Sequence, residues 1–396
     1  MNVRSSAKNW IVSLFLLAAM ATYPASGFAQ VRLGQPTAVF PEDFGAIQTV
    51  RELPDGRVLV ADPLSKALYA VDMDGGTRPI IGREGEGPEE YRQPDAVWPL
   101  PGDSTLLVDL GNGRLVALGP DLGFGPTIPI AVGEFQRGSP LVLAIPQGVD
   151  GAGNIYARVM SGGTGGGAFP DSADILRIHR ESQTSEPAAK FKVQDMIQTT
   201  TGGANNQNVS ISPIPLSPED AWGVAPDGSL ILIRTGDYHL ERVAPDGTVS
   251  HGPTVPFDPV RIGTAEKEEY VADLGRAGGS ISVEVDMRNG LMSMSFARGG
   301  RGTRREIDRY TWPEEKPPFY SGRIPVDPMG RAWVRRHVEA GDPSTYDVFN
   351  SAGMRLETVL LEHGRRVVGF GPSGVYVVSF DEFDLNYLER YAMPGF

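Results

Sequence analysis

The stretch "VRELPDGRVLVADPLSKALYAVDMDGGTRPIIGREGEG" (Val50–Gly87) is a complete sheet unit. A short apolar run leads into the turn Pro54-Asp55-Gly56. The run "RVLVAD", a polar break "PLSK", the run "ALYAVD", a second turn at Asp74-Gly75 and a run ending at Ile81 follow. Proline pre-sets the first turn position, aspartate bonds its own backbone, and glycine accepts a positive φ. The Val, Leu, Ile and Tyr content between the turns favours strands, and no run is long enough for an ordinary helix. One meander of short strands cannot bury its own faces, so its fate depends on repetition.

The unit does repeat. Its first turn has counterparts at Pro101-Gly102-Asp103, Asp150-Gly151-Ala152-Gly153, Pro226-Asp227-Gly228, Asp327-Pro328-Met329-Gly330 and Pro372-Ser373-Gly374. Apolar strands follow each of them: "TLLVD", "NIYARV", "SLILIR", "RAWVRR" and "VYVVSF". The first two steps and the last are about 45 to 49 residues, the length of one four-stranded propeller blade. The predicted fold is all-β, a six-bladed β-propeller. Only closure removes unpaired edges, so the apolar stretches "TAVF" and "AIQTV", before the first repeat, are expected to provide a strand that completes the last blade beside "YLERYAM".

Two steps are longer. In the third, the polar, then proline-rich "IQTTTGGANNQNVSISPIPLSPED" reads as a loop, and "SGGTGGG" (Ser161–Gly167) as a surface tip or ligand-covering flap. The fourth carries an irregular, partly helical insertion over residues 260–322. It combines a helical pattern at Thr264–Ala277, two strand-like runs, the basic "RGGRGTRREIDRY" and the rigid "WPEEKPP", and reads as a cap.

The first 29 residues have a basic start (Arg4, Lys8), an apolar run from Trp10 to Met20 and a small-residue end, the pattern of a signal peptide cut after Ala29. The apolar run is about half of what a membrane span needs. Residues 30–396 are then expected to form a single propeller domain including the insertion, placed in the periplasm or secreted. There is no cysteine, so neither a disulfide nor thiol chemistry is available. The formal charge of −13 becomes about −15 once Arg4 and Lys8 are removed, which disfavours a phosphate-backbone partner. Nucleic acid is excluded as a partner on that ground, no retained membrane segment is expected, and the chain is expected to be a monomer.

The segments "LPDGRVLVADPLSKALYAVDMDG" (Leu53–Gly75) and "IGREGEGPEEYRQPDAV" (Ile81–Val97) resemble the NHL-like six-bladed propeller proteins exported by bacteria. "VAPDGSLILI", "VDPMGRAWV" and "FGPSGVYVVS" carry the same resemblance in weaker form. It implies a central channel and loop faces available for binding. Related propellers include sugar-lactone hydrolases and amidated-peptide lyases, whose channels use histidines or calcium-binding acidic and amide residues; this chain does not visibly supply that set.

No "GxSxG", "HExxH", phosphate loop or dinucleotide fingerprint is present. The five histidines, His179, His239, His251, His337 and His363, share no ligand-like spacing on one element; no metal and no cofactor is expected. His239 and His337 fall in or near hairpin loops and read as solvated. "GREGEGPEE" carries four glutamates and reads as a structural turn rather than a phosphate cradle. Superposing the repeats by their turns brings Asp62, Asp109, Arg158, Arg234 and Arg336 to the ends of the second strands. They are the candidate ligand-binding residues of a charge-divided mouth. The competing account has the two aspartates bonding nearby turn backbone and the arginines pairing with acids between blades. Trp98, Trp222 and Trp333 are expected to pack between blades, while Trp312, Phe319 and Tyr320 are expected to be partly exposed. The expected function is a noncatalytic exported propeller binding a small polar ligand or an unknown protein partner through its loop face. The alternative is a metal-dependent hydrolase or lyase of the lactonase or peptidyl-lyase type.

Overall fold

The computed structural model describes residues 30–132, 142–143, 145–159, 170–203, 206–279, 281–288, 291–298, 307–308 and 310–396. Residues 1–29, expected to be a signal peptide, the glycine-rich Ser161–Gly167 and residues 301–306 of the basic stretch lie outside the described residues.

Six antiparallel blades form the ring. Blade one holds Val50–Glu52, Val58–Asp62 and Ala67–Val71, with Ile80 bridging Tyr69 at the outer edge. Blade two is Pro94–Pro99, Thr105–Asp109, Arg114–Leu118 and Phe124–Pro129. Blade three is Gly148–Val149, Ile155–Arg158, Ser172–Ile178 and Ser185–Lys192. Blade four is Ala221–Val224, Leu230–Arg234, His239–Val243 and Val249–His251. In blade five, Gly322–Arg323 pairs in parallel with the inner strand of blade four and runs on to Val326, which bridges Ala332. One segment therefore ties two blades. Ala332–Arg335, Thr345–Phe349 and Arg355–Leu360 follow, and Gln30–Arg32 adds in parallel to the last. Blade six, Arg366–Gly371, Gly374–Phe380 and Asn386–Tyr391, is completed by Ala38–Val39, which pairs with Arg390 and Glu389. The N-terminal "TAVF" thus closes the last blade as expected, and Gln30–Arg32 adds a second clasp that the repeat pattern does not signal.

The continuous apolar runs have a simple cause. Both faces of a second strand meet a neighbouring blade, so "VLVAD" is buried throughout. Val58 and Val60 pack with Val368, Tyr376 and Val378 of blade six, while Leu59 and Ala61 pack with Val97, Leu107 and Val116 of blade two. The same division recurs around the ring, giving six hydrophobic seams for six blades. The repeat turns are closed by their own aspartates: Asp55, Asp150, Asp227 and Asp327 each accept from the N–H two residues on. Gly56 and Gly228 take φ of 85° and 82° behind them, a region that favours glycine.

One sequence expectation about the elements needs correction. The stretch read as a loop after blade three contains a β-hairpin, Met196–Gly203 against Asn206–Pro213. Its threonines and alternating Val209 and Ile211 suit a strand, and Gly202-Gly203 bring the chain to the turn. The strand-like runs of the insertion, Ile281–Arg288 and Leu291–Arg298, pair with each other and not with blade four.

The insertion is anchored by Val260–Arg261 against Glu315–Lys316. Helix α1 (Thr264–Arg276) begins where the Glu266 carboxylate accepts from the Gly263 N–H at 3.0 Å and stops where Gly278 and Gly279 take positive φ. Its ends are fixed to blades on either side of blade six. Gln48 of the blade-one entry donates to Ala277 O at 2.7 Å, and Glu266 accepts from Ala340 N of blade five. Arg276 pairs with Asp384 of blade six and lies 3.6 Å above the Phe380 ring. The returning hairpin ends at Arg298, whose guanidinium is bidentate on Asp95 of blade two. The insertion is a cap over the central channel.

Candidate functional site: the capped channel

The predicted mouth residues do not converge. Asp62 is fully buried and accepts from the N–H groups of Gly45, Ala46, Leu64 and Ser65 at 2.7 to 3.1 Å. Asp109, also fully buried, takes Arg92 N, Gln93 N, Asn112 Nδ2 and Arg114 Nε. Each carboxylate staples the incoming inter-blade chain to its own hairpin turn. Arg234 is bidentate on Glu241 and also donates to Asp220 at 2.9 Å and to Lys190 O. Arg336 lies 3.7 Å from the buried Asp347. Arg158 is different: its side chain is half-exposed, 3.8 Å from Glu219, and lines the central cavity.

That cavity, about 540 Å³, lies under the cap at the ring axis. Its walls come from the starts of the inner strands, with Ile281 and Arg298 of the cap above. Below it a second cavity of about 360 Å³ continues down the axis, and Trp98, Gln147 and Arg323 line both. Together with Thr49 and Ile324, which also line both, they form the waist of the channel. A third, of about 330 Å³ beneath helix α1, shares Tyr320, Ser321, Arg335 and Arg366 with the first. The lower channel is narrow because inner strands crowd there. A Cβ on Gly223 would come within 2.4 Å of Ile324 O, and one on Gly369 within 2.9 Å of Val50.

Five arginines line the main cavity, and their circumstances differ. Arg298 is matched by Asp95. Arg335 is 3.3 Å from Asp273 of the cap helix and stacks on Tyr320 at 4.1 Å. Burial opposes the Arg335 charge, but Tyr320 and Asp273 outweigh it and hold the guanidinium above its ordinary range. Arg158 has the loose contact with Glu219. Arg323 and Arg366 have no carboxylate partner among the described residues. Arg323 donates to Val368 O at 3.1 Å and sits 5.5 Å from the Trp98 ring; Arg366 donates to Ile47 O at 2.7 Å. Burial pushes Arg323 down to about 10, and Arg366 pushes the same way. Arg366 is lowered by burial too; Tyr346 and Asp273 oppose this, while Arg335 and Arg298 add like charge. A buried cation matched only by carbonyls is a destabilising feature that an anion in the cavity would relieve.

Trp98, Trp222 and Trp333 pack in the seams between blades as expected, but the Trp98 indole N–H, at the waist, is buried without an acceptor among the described residues. Phe319, expected to be partly exposed, is buried against Tyr238, because the insertion's exit strand turns inward there. His337, expected to be solvated, is buried and stacked on Tyr320 with ring centroids 3.9 Å apart; burial pushes its pKa well below the ordinary value. "GREGEGPEE" is a turn, closed by Glu90 accepting from Gly87 N at 2.6 Å.

Turn superposition missed Arg323, Arg366, Trp98 and Gln147. They sit on inner strands, before each repeat turn, whereas the superposition scored the strands after it. The usable signal was there: "SGRIPVD" and "RRVVGF" place arginine where "TV" and "IPQGV" place small or neutral residues.

No protein-family model matches the chain. No curated protein sequence matches it either. Solved structures do, and they include six-bladed β-propeller proteins. A Bacteroides fragilis protein described as exported is 10% identical, with 92% of this chain and 94% of that one covered and a TM-score of 0.43. Virginiamycin B lyase from Staphylococcus aureus is 9% identical over 91% and 99%, TM-score 0.40. A gluconolactonase from Xanthomonas campestris is 10% identical over 93% and 99%, TM-score 0.37. Among the described residues, no helix is long and apolar enough to cross a membrane.

Proposed function

We propose that this chain is an exported, NHL-like propeller that binds a small anionic ligand in its capped channel. The observation that carries the reading is the pair Arg323 and Arg366, set in the channel wall against backbone carbonyls with no carboxylate partner among the described residues. The cavity volume falls within the range of small-molecule sites, and Trp98, Ile145, Ile281 and Ile324 give it apolar walls beside the guanidiniums. A carboxylate or phosphate group would meet two forked donors there, with Arg158 at the mouth. A binding role is favoured over hydrolysis or elimination because Asp95, the acid that lines the cavity among the described residues, is engaged by Arg298.

The test is calorimetric titration with a panel of sugar acids, dicarboxylates and phosphate monoesters, with product analysis on every binder. We expect at least one anion to bind, Arg366→Ala to weaken it about 50-fold or more, and the ligand to be recovered unchanged. Affinity should fall as pH rises toward 10, where Arg323 gives up its proton. Neutral sugars binding as well as their acids, or the Arg366→Ala protein binding normally, would overturn the reading. Turnover of a bound lactone would move the protein to the hydrolase alternative.

A further inference from the structure

A second constellation lies away from the channel, on the outer half of blade four. His239 and Glu241 are two residues apart on the third strand and so share a face, and His251 on the fourth strand is the direct cross-strand partner of Glu241. One ligand atom from each of the three lies within 4.8 Å of the others. The histidines are separated in sequence, which hid the arrangement; pairing of the strands assembles it.

Three features make this more than an incidental cluster. Asp237 Oδ1 stands 2.5 Å from His239 Nδ1, which fixes the proton on Nδ1 and leaves Nε2 as a bare lone pair. A carboxylate behind an imidazole is the usual outer-shell support of a metal-bound histidine. The Glu241 carboxylate is held in place by Arg234, with Nε to Oε2 at 3.0 Å and Nη2 to Oε1 at 2.8 Å, while His251 Nδ1 stands 3.7 Å from Oε2. Asp220 and Glu241 pair with the single guanidinium of Arg234 and Asp237 stands beside His239, so three carboxylates meet one guanidinium, and the local charge is negative and suits a dication. The third feature is freedom to close: ligands of a tetrahedral zinc stand about 3.3 Å apart. His251 is 61% exposed at the end of an edge strand and can draw in.

We propose that His239, His251 and Glu241 bind a divalent first-row transition ion, zinc by donor set, leaving a fourth position open to water or to an outside ligand. Two imidazoles and one carboxylate suit zinc better than calcium, which takes six or more oxygens. The site stands apart from the anion channel, and its occupation does not depend on that reading.

The experiment is titration of the chelator-treated protein with Zn2+, followed by calorimetry, and with Co2+, followed by visible absorption. We expect one strong site, a Co2+ d–d spectrum of low symmetry, and at least a tenfold loss of affinity in His239→Ala and in His251→Ala. His363→Ala should bind as the parent does, since His363 lies elsewhere and bonds Asp342 O. Binding should weaken as pH falls through the imidazole range. Both target histidines reach solvent, and a thermal melt on each variant separates misfolding from ligand loss. No binding below 100 µM (a chosen threshold of about 5.5 kcal/mol), equal affinity in all three variants, or tighter Ca2+ than Zn2+ binding would overturn the proposal.

Discussion

Arg234 and Arg323 lie on strands of one sheet, on either side of Ala221–Val224, and have opposite surroundings. Arg234 meets two carboxylates, Glu241 and Asp220, which outweigh its burial and lift it above the ordinary arginine range. Arg323 meets a carbonyl, an indole face and another arginine, and burial brings it down to about 10. A guanidinium matched within the fold serves the fold. One left to carbonyls carries a stability cost that folding alone does not explain. The same contrast separates the aspartates: Asp62 and Asp109 tie chain segments together, while Asp95 holds the cap down through Arg298.

The largest effect should come from the rim. Asp62→Ala would leave four N–H groups in a buried setting without their acceptor, costing about 3 kcal/mol, and Asp109→Ala a similar amount. Urea midpoints would show it; a loss under about 1 kcal/mol would mean that these aspartates are not latches. Next comes a pair with opposite signs. Arg234→Met should destabilise by about 2 kcal/mol, because Glu241 and the nearly buried Asp220 lose their counter-charge. Arg323→Met should stabilise by about 1 kcal/mol at neutral pH. For a cation whose folded-state pKa is lowered, the cost is fully present below that value and relieved above it. The gain should therefore shrink as pH approaches 10. Loss of stability in both variants would erase the distinction between matched and unmatched arginines.

The ring was readable because its physics is local and repeated. A turn such as Pro54-Asp55-Gly56 or Pro226-Asp227-Gly228 closes on its own aspartate, and a strand buried on both faces must be apolar throughout, so both features survive in one-dimensional order. The N-terminal strand at Ala38–Val39 followed from the need to remove an edge. The site was less legible because its members are joined only by closure. Arg323 belongs to a strand shared between two blades, Arg366 opens another, and neither carries a motif. The error at Asp62 has the same origin: the end of a second strand is also where the connection into its own blade arrives, and the N–H groups of that connection claim the carboxylate. The His239–Glu241–His251 face needed strand register, and a two-residue spacing on a hairpin is common enough to say nothing until the partner strand is placed.

The smallest effect tests the one mouth residue that lies between the two classes. Arg158 lines the cavity, is half-exposed, and stands 3.8 Å from Glu219, a looser contact than those of Arg234. Burial holds the Glu219 carboxyl above the usual range, and Arg158 is the first of the groups that pull it back. Removing the arginine in Arg158→Ala should let Glu219 rise further. An acid raised in the folded state favours folding at low pH and loses that contribution as pH rises through its pKa, so the variant's deficit should appear on the neutral side and vanish in acid. Its size should be about 0.5 kcal/mol, since solvent already screens the pair. The channel reading adds a second readout: anion affinity should fall only two- to threefold (about 0.5 kcal/mol), with a shallower salt dependence, because Arg158 attracts at the mouth while Arg323 and Arg366 hold inside. A loss as large as that of Arg366→Ala would shift the binding centre from the channel wall to its mouth.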